Sequence, residues 1–242
     1  MAENSGIEWT NHTFNPWIGC TKVSSGCANC YAATLMQDRY HRVKWGKGED
    51  RSLTKTWNDP VRWNRDAAAR GVRVRVFCAS LADVFDAEVP DEWRARLWRL
   101  IEATPQLDWL LLTKRIENVF AMVPWTEWPK HIWMGTTVEN ADMAAKRLPV
   151  LAGIPAAVRF VSAEPLLSAF DFGDTPIDWL IAGGESGDGF RAVNGDHVRS
   201  LRDQCVERGV AFFFKQWGGL RPKIAGKTID DREWCQFPSV SV

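Results

Sequence analysis

Leu107-Asp108-Trp109-Leu110-Leu111-Leu112-Thr113 is the stretch whose reading decides the fold class. It is short, almost continuously apolar, and ends on a hydroxyl. A half-exposed antiparallel strand alternates apolar and polar residues. An unbroken apolar run of this length reads instead as a strand buried on both faces, as in a parallel sheet covered by helices. Working outward, similar runs recur. Val72-Arg73-Val74-Arg75-Val76-Phe77-Cys78 alternates at first and then turns wholly apolar. His131–Thr136, Val158–Ser162, Trp179–Ala182 and Ala211–Phe214 follow, the last as the final strand. Helical patterns separate them. Asp91 is expected to cap a helix with Trp93, Leu97, Leu100 and Ile101 on one face. A second runs from Asn140 to Leu151, bent or ended near Pro149. A third places Val198, Leu201 and Cys205 on one face and stops at Gly209. Upstream, a first strand is expected over Thr13–Ile18, a helix from Asn29 to about Arg42, and a polar, basic connection to Asp59. Pro60 then opens a helix that ends near Gly71.

This βα repetition predicts an α/β fold with a parallel sheet. Six to seven such units suggest a partial (β/α) barrel over residues 1–217, with the glycine-rich, polar tail 218–242 packing on it. A doubly wound open sheet is the main alternative. The chain has 242 residues, a formal net charge of zero and a pI near 6.9. That length suffices for one large core. The neutral balance supplies no global pull toward nucleic acid or membrane, and no apolar run is long enough to span a bilayer. Residues Met1–Thr10 are polar and mixed, unlike a secretory leader. The expected compartment is therefore reducing and cytoplasmic, where clustered cysteines bind metal or catalyse more often than they pair. The fourteen tryptophans are expected mainly as core or loop anchors, with some lining a substrate groove.

The densest chemistry lies in residues 15–31, Asn15-Pro16-Trp17-Ile18-Gly19-Cys20 through Gly26-Cys27-Ala28-Asn29-Cys30-Tyr31. Cys27 and Cys30 stand two residues apart, and Cys20 can fold back to join them. Gly19 and Gly26 each precede a cysteine and let the backbone approach a bulky inorganic centre. Three thiolates suit a cubane iron–sulfur cluster with one iron open, or zinc with a fourth ligand, for which His12 and His41 are the nearest candidates. Cys78 and Cys205 are expected as buried free thiols and Cys235 as unrelated to the loop.

Cys27, Cys30 and Tyr31 resemble the second half of the cluster loop of radical S-adenosylmethionine (SAM) enzymes. The first half departs from that pattern, with six residues between Cys20 and Cys27 in place of three. Asn15–Cys20 is similar to the lead-in of the spore photoproduct lyase group of DNA-repair enzymes. Leu112-Thr113-Lys114 resembles a threonine-lysine-serine step of that group, with Arg115 in place of the serine. The stretch from Arg147-Leu148 to Gly153-Ile154-Pro155 resembles its later helix and strand entry. The whole chain further resembles an uncharacterised, often phage-encoded family of radical-SAM-like proteins. The superfamily resemblance covers about Thr13–Trp217 and favours a partial barrel of radical SAM type.

In parallel α/β folds the chemistry gathers at the carboxyl ends of the strands. Polar residues recur there: Ser80 and Asp83, Lys114 and Arg115, Thr136 with Thr137 and Glu139, Ser162 with Glu164, Glu185 in a Gly-Gly-Glu step, and Lys215-Gln216. Turns and helix caps also favour several of these residue types, but the repetition argues for a shared polar site. The resemblance implies roles. Cys20, Cys27 and Cys30 would hold a 4Fe-4S cluster. Ser80 and Asp83 would receive the amino group of SAM. Lys114 or Arg115 would meet its carboxylate, Thr136, Thr137 or Glu139 its ribose, and Tyr31 its adenine.

The leading expectation is a radical SAM enzyme that abstracts hydrogen from a nucleic-acid base for repair or modification, fed by a reductant protein such as flavodoxin or ferredoxin. The alternatives are a zinc-stabilised, non-catalytic nucleic-acid-binding protein, or a radical SAM enzyme acting on a small molecule or peptide. For the nucleic acid, the segment Arg39–Arg75 stands out. It carries eleven Lys or Arg against four Asp or Glu, a formal excess of seven, and Trp45, Trp57 and Trp63 interleave with its cations.

Overall fold

The computed structural model describes residues 2–3 and 5–239. In chain order its strands are β1 (Ala2–Glu3), β2 (His12–Phe14), β3 (Trp17–Ile18), β4 (Ser52–Leu53), β5 (Val74–Cys78), β6 (Leu107–Thr113), β7 (Ile132–Thr137), β8 (Val158–Ala163), β9 (Trp179–Gly183), β10 (Ala211–Gln216), β11 (Thr228–Ile229) and β12 (Arg232–Glu233). Its helices are α1 (Tyr31–Ala33), which continues in wider π-type turns over Thr34–Arg39, then α2 (Asp59–Ala69), α3 (Asp91–Glu102), α4 (Val119–Met122), α5 (Ala141–Ala152), α6 (Gly195–Arg208) and α7 (Pro222–Ala225). The strand order in the main sheet is β1-β2-β5-β6-β7-β8-β9-β10, and seven of these strands, β2 and β5 to β10, run parallel. The protein is therefore α/β, as the apolar runs predict. The chain forms two compact units, residues 1–22 with 32–133, and residues 23–31 with 134–242.

In the first unit β2 pairs in parallel with β5, and β5 with β6, placing Thr13 opposite Phe77 and Val76 opposite Trp109. The expected run Leu107–Thr113 is a strand over those same residues and is buried at all but one position. Trp109, Leu110, Leu111, Phe14, Leu97 and Ile101 are fully buried around it, each worth about 1.5–3 kcal/mol in water-excluded apolar surface. Two expectations are corrected. The strand Thr13–Ile18 is divided, because the Asn15 carboxamide accepts Leu81 N (2.7 Å) and Pro16 O accepts Thr54 N (3.0 Å). These bonds turn Trp17–Ile18 away to pair antiparallel with β4. Asp91 is not the cap of α3. Pro90 holds that place, and Asp91 sits in the first turn with its carboxylate 2.6 Å from Arg94 Nη1.

In the second unit β8, β9 and β10 pair in parallel, with Phe160 and Ala211 both opposite Trp179. Gly135 in β7 leaves room for the Phe160 ring, which a Cβ there would meet at 2.4 Å. Asn140 caps α5 through Met143 N, and Pro149 lies within the helix rather than ending it. Val198, Leu201 and Cys205 form the buried face of α6, as expected. Ala211–Gln216 is not the last strand. The tail adds the β11–β12 hairpin, and Phe214 N and Gln236 N bond to Trp234 O and Phe212 O, while Phe237 packs tilted against Trp179 and edge-on to Phe213. Among the described residues no helix is long and apolar enough to cross a membrane.

Candidate functional site

In the first unit the strand ends surround Cys20. Asp83, after β5, is buried, and its carboxylate accepts from Thr113 Oγ1 (2.7 Å), Phe85 N (3.0 Å), Lys114 N (3.1 Å) and Arg115 Nη1 (2.9 Å). Four donors occupy both oxygens of the carboxylate. Asp83 fixes Arg115, whose Nη1 lies 3.5 Å from Cys20 Sγ and whose Nη2 donates to Thr21 O at 2.6 Å. Burial disfavours the charge of Arg115, but Asp83 and Cys20 hold its pKa above the ordinary range. Burial and the charge of Asp83 push the Cys20 thiol up to about 12, with Arg115 opposing. Ser80 is half-buried and shares hydrogen bonds with the carboxamide of Asn15. Lys114 is half-buried, and its backbone N–H is spent on Asp83.

In the second unit two carboxylates hold the segment 23–31. Glu139, expected near a ribose, is fully buried. Its Oε2 lies 2.7 Å from Arg147 Nη1, and its Oε1 accepts from Ser24 Oγ. Gly26 leaves room for this carboxylate, since a Cβ would stand 2.9 Å from Glu139 Oε1. Glu185 is also buried and accepts from Asn29 Nδ2 (2.9 Å), Arg191 N (2.9 Å) and Arg191 Nη2 (2.6 Å). Arg191 Nη2 reaches Ser25 O at 3.0 Å as well. Burial would raise the pKa of Glu185, but the bonds from Arg191 and Asn29 outweigh it and hold the carboxyl below its usual range. Cys27 and Cys30 are half-buried between these anchors.

Further along the same unit, Lys215 Nζ donates to Glu164 Oε2 at 2.7 Å, and Gln216 Nε2 to Ser186 Oγ at 2.5 Å. Thr136, Thr137 and Ser162 are buried, and Tyr31 is half-exposed.

The basic segment 39–75 is only partly available to a partner. Trp57 and Trp63 are buried, Trp57 edge-on to Phe14 and Trp63 stacked on His12 at 4.4 Å, so neither offers a free ring face. Arg51 is buried between Asp86 (2.7 Å) and Glu88 (2.8 Å) and also donates to Thr21 Oγ1. It therefore serves the fold rather than phosphate. Trp45 is half-buried, and Lys44 and Lys47 are exposed. Sequence reasoning missed the structural partners Arg147, Arg191, Asn29 and Asp86. Arg147 carries a signal: it shares the buried stripe of α5 with Ala144, Leu148 and Leu151, and a cation in such a stripe requires a buried anion.

All six cysteines are free thiols. Among the described residues no three His, Cys, Asp or Glu side chains gather closely enough to hold a metal ion. Cys20 in the first unit and Cys27 and Cys30 in the second are half-buried, and Arg115 Nη1 stands 3.5 Å from Cys20 Sγ. His12, by contrast, is engaged on Trp63.

The fold class is α/β with a parallel sheet. A family model described as a protein of unknown function (DUF5131) matches residues 4–238, and the chain belongs to that family. No curated protein and no solved structure matches it.

Proposed function

We propose that the chain is an enzyme of radical SAM type. Cys20, Cys27 and Cys30 would hold a 4Fe-4S cluster, and SAM would lie over the strand ends of a partial barrel. The observation that supports this most directly is the clamping of a cysteine segment by two buried carboxylates, Glu139 and Glu185, which spend their charge on holding Ser24, Asn29 and Arg191. When bound and reduced, such a cluster supplies the electron that splits SAM into methionine and a 5′-deoxyadenosyl radical able to take hydrogen from a substrate.

The chain's own residues prepare the site. Arg115, fixed by Asp83, offsets the cost of a thiolate at Cys20. Buried Thr136, Thr137 and Ser162 support the strand ends. The substrate class we assign is a nucleic-acid base, with electrons from a flavodoxin- or ferredoxin-like partner.

The test is anaerobic purification and reconstitution, followed by iron, sulfide and zinc analysis. Stoichiometric iron and sulfide is the expected result. It should be lost on replacing any of Cys20, Cys27 or Cys30 by Ala and retained on replacing Cys78, Cys205 or Cys235. Dithionite-reduced, loaded protein should then release 5′-deoxyadenosine from SAM. Stoichiometric zinc without iron would overturn the reading in favour of a zinc-stabilised binding protein.

A further inference from the structure

We propose that the exposed turn 39–47 is a platform for single-stranded nucleic acid, on which one base stacks against Tyr40 while Arg39, Arg42, Lys44 and Lys47 meet phosphates. This rests on the nucleic-acid reading of the substrate but not on the metal centre. The π-type turns end at Arg39, and His41 takes a left-handed conformation with φ of 49°. That turn lets Tyr40 N donate to Leu35 O (3.1 Å) and Arg42 N to Met36 O (2.8 Å), folding the chain back onto the helix end. As a result the guanidinium carbons of Arg39 and Arg42 both lie close to the Tyr40 ring, 5.6 and 5.8 Å from its centroid. Tyr40 itself is 50% exposed.

The charge here is unbalanced, unlike that of four arginines in the same unit. Arg51, Arg73, Arg94 and Arg115 are each paired with an aspartate. Among the described residues Arg39, Arg42, Lys44 and Lys47 have no ion-pair partner, and residues 39–47 contain no Asp or Glu. Four neighbouring like charges repel one another, and a polyanion removes that repulsion. An aromatic ring flanked by guanidinium groups also matches a base with its phosphates. A duplex hides its base faces, so the ring selects unpaired bases. An anionic lipid surface would neutralise the same charges, but the turn exposes one hydroxylated ring and no aliphatic side chain to insert, Val43 being half-buried.

Anisotropy with short fluorescent single-stranded DNA and RNA, duplexes, and vesicles containing phosphatidylserine tests this. Binding should favour single strands, and the comparison of DNA with RNA identifies the source. Tyr40→Ala should weaken binding about 5- to 150-fold, the range carried by one stacked base, while Tyr40→Phe retains it. The Arg39→Ala, Arg42→Ala pair should lower the log–log salt slope by about 1.4, at about 0.7 per lost phosphate contact. Unchanged thermal melting of Tyr40→Ala excludes a folding defect. If Tyr40→Ala binds as the wild type does, the platform is wrong and the nucleic-acid reading stands. If the wild-type protein binds no oligonucleotide, both fall. Binding to vesicles alone, lost in the same variants, would overturn the inference in favour of a lipid surface.

Discussion

Glu139→Gln keeps the volume of a fully buried side chain and removes its charge. The carboxylate now accepts from Arg147 Nη1 at 2.7 Å through one oxygen and from Ser24 Oγ through the other. An amide can turn its oxygen to Arg147 and its NH2 to Ser24 Oγ, which then accepts, but it carries no charge. The side chain of Arg147 is 6% exposed and would be left as a buried cation without its carboxylate, keeping its bond to Thr137 O at 2.7 Å. Breaking a buried pair from one side costs about 3–5 kcal/mol, a large part of a stability of about 5–15 kcal/mol. Urea unfolding followed by tryptophan fluorescence should show that loss. Iodoacetamide labelling of metal-stripped protein, read by mass spectrometry, should show Cys27 reacting faster relative to exposed Cys235, because Ser24 exchanges a bond to a carboxylate for a weaker one to an amide. Adding Arg147→Met should recover much of the stability, since no uncompensated charge remains. A loss below about 1 kcal/mol, the scale of a surface pair, together with unchanged labelling of Cys27, would refute the clamp.

Two further outcomes follow from the same geometry. Asp83→Asn sets an amide against Lys114 N and Arg115 Nη1 and should cost about 3–5 kcal/mol while exposing Cys20 to alkylation; unchanged stability with weaker SAM binding would return Asp83 to a ligand-binding role. Burial pushes the Cys205 thiol from 9.0 to about 12, so the folded state keeps a proton that the unfolded chain gives up. That stability is complete below pH 9 and is lost as pH rises toward 12, so Cys205→Ala should flatten the alkaline fall of the urea midpoint; an identical fall in both proteins would show that the thiol does not contribute.

The fold class was legible because it follows from local composition. A strand buried on both faces must be apolar at nearly every position, so Leu107–Thr113, Val158–Ala163 and Trp179–Gly183 announce themselves without their neighbours. The three cysteines also stand close together in the sequence, and all are free thiols in the fold. What local pattern could not reveal is which polar groups are already spoken for. Asp83, Glu139 and Glu185 stand at strand ends, where ligand-binding carboxylates also stand. Only tertiary placement brings Arg115, Arg147 and Arg191 within 2.6–2.9 Å of them, so each carboxylate is engaged within the protein. The basic segment divided in the same way. Its charge excess is a property of the sequence. The burial of Arg51, Trp57 and Trp63, and the exposure of Tyr40 between two arginines, depend on long-range packing and on a left-handed turn at His41. Sequence by itself determined the apolar strands, because burial demands are properties of single residues. The tertiary structure decided the electrostatic partners, because charges far apart in the chain can neutralise one another only once the fold has brought them together.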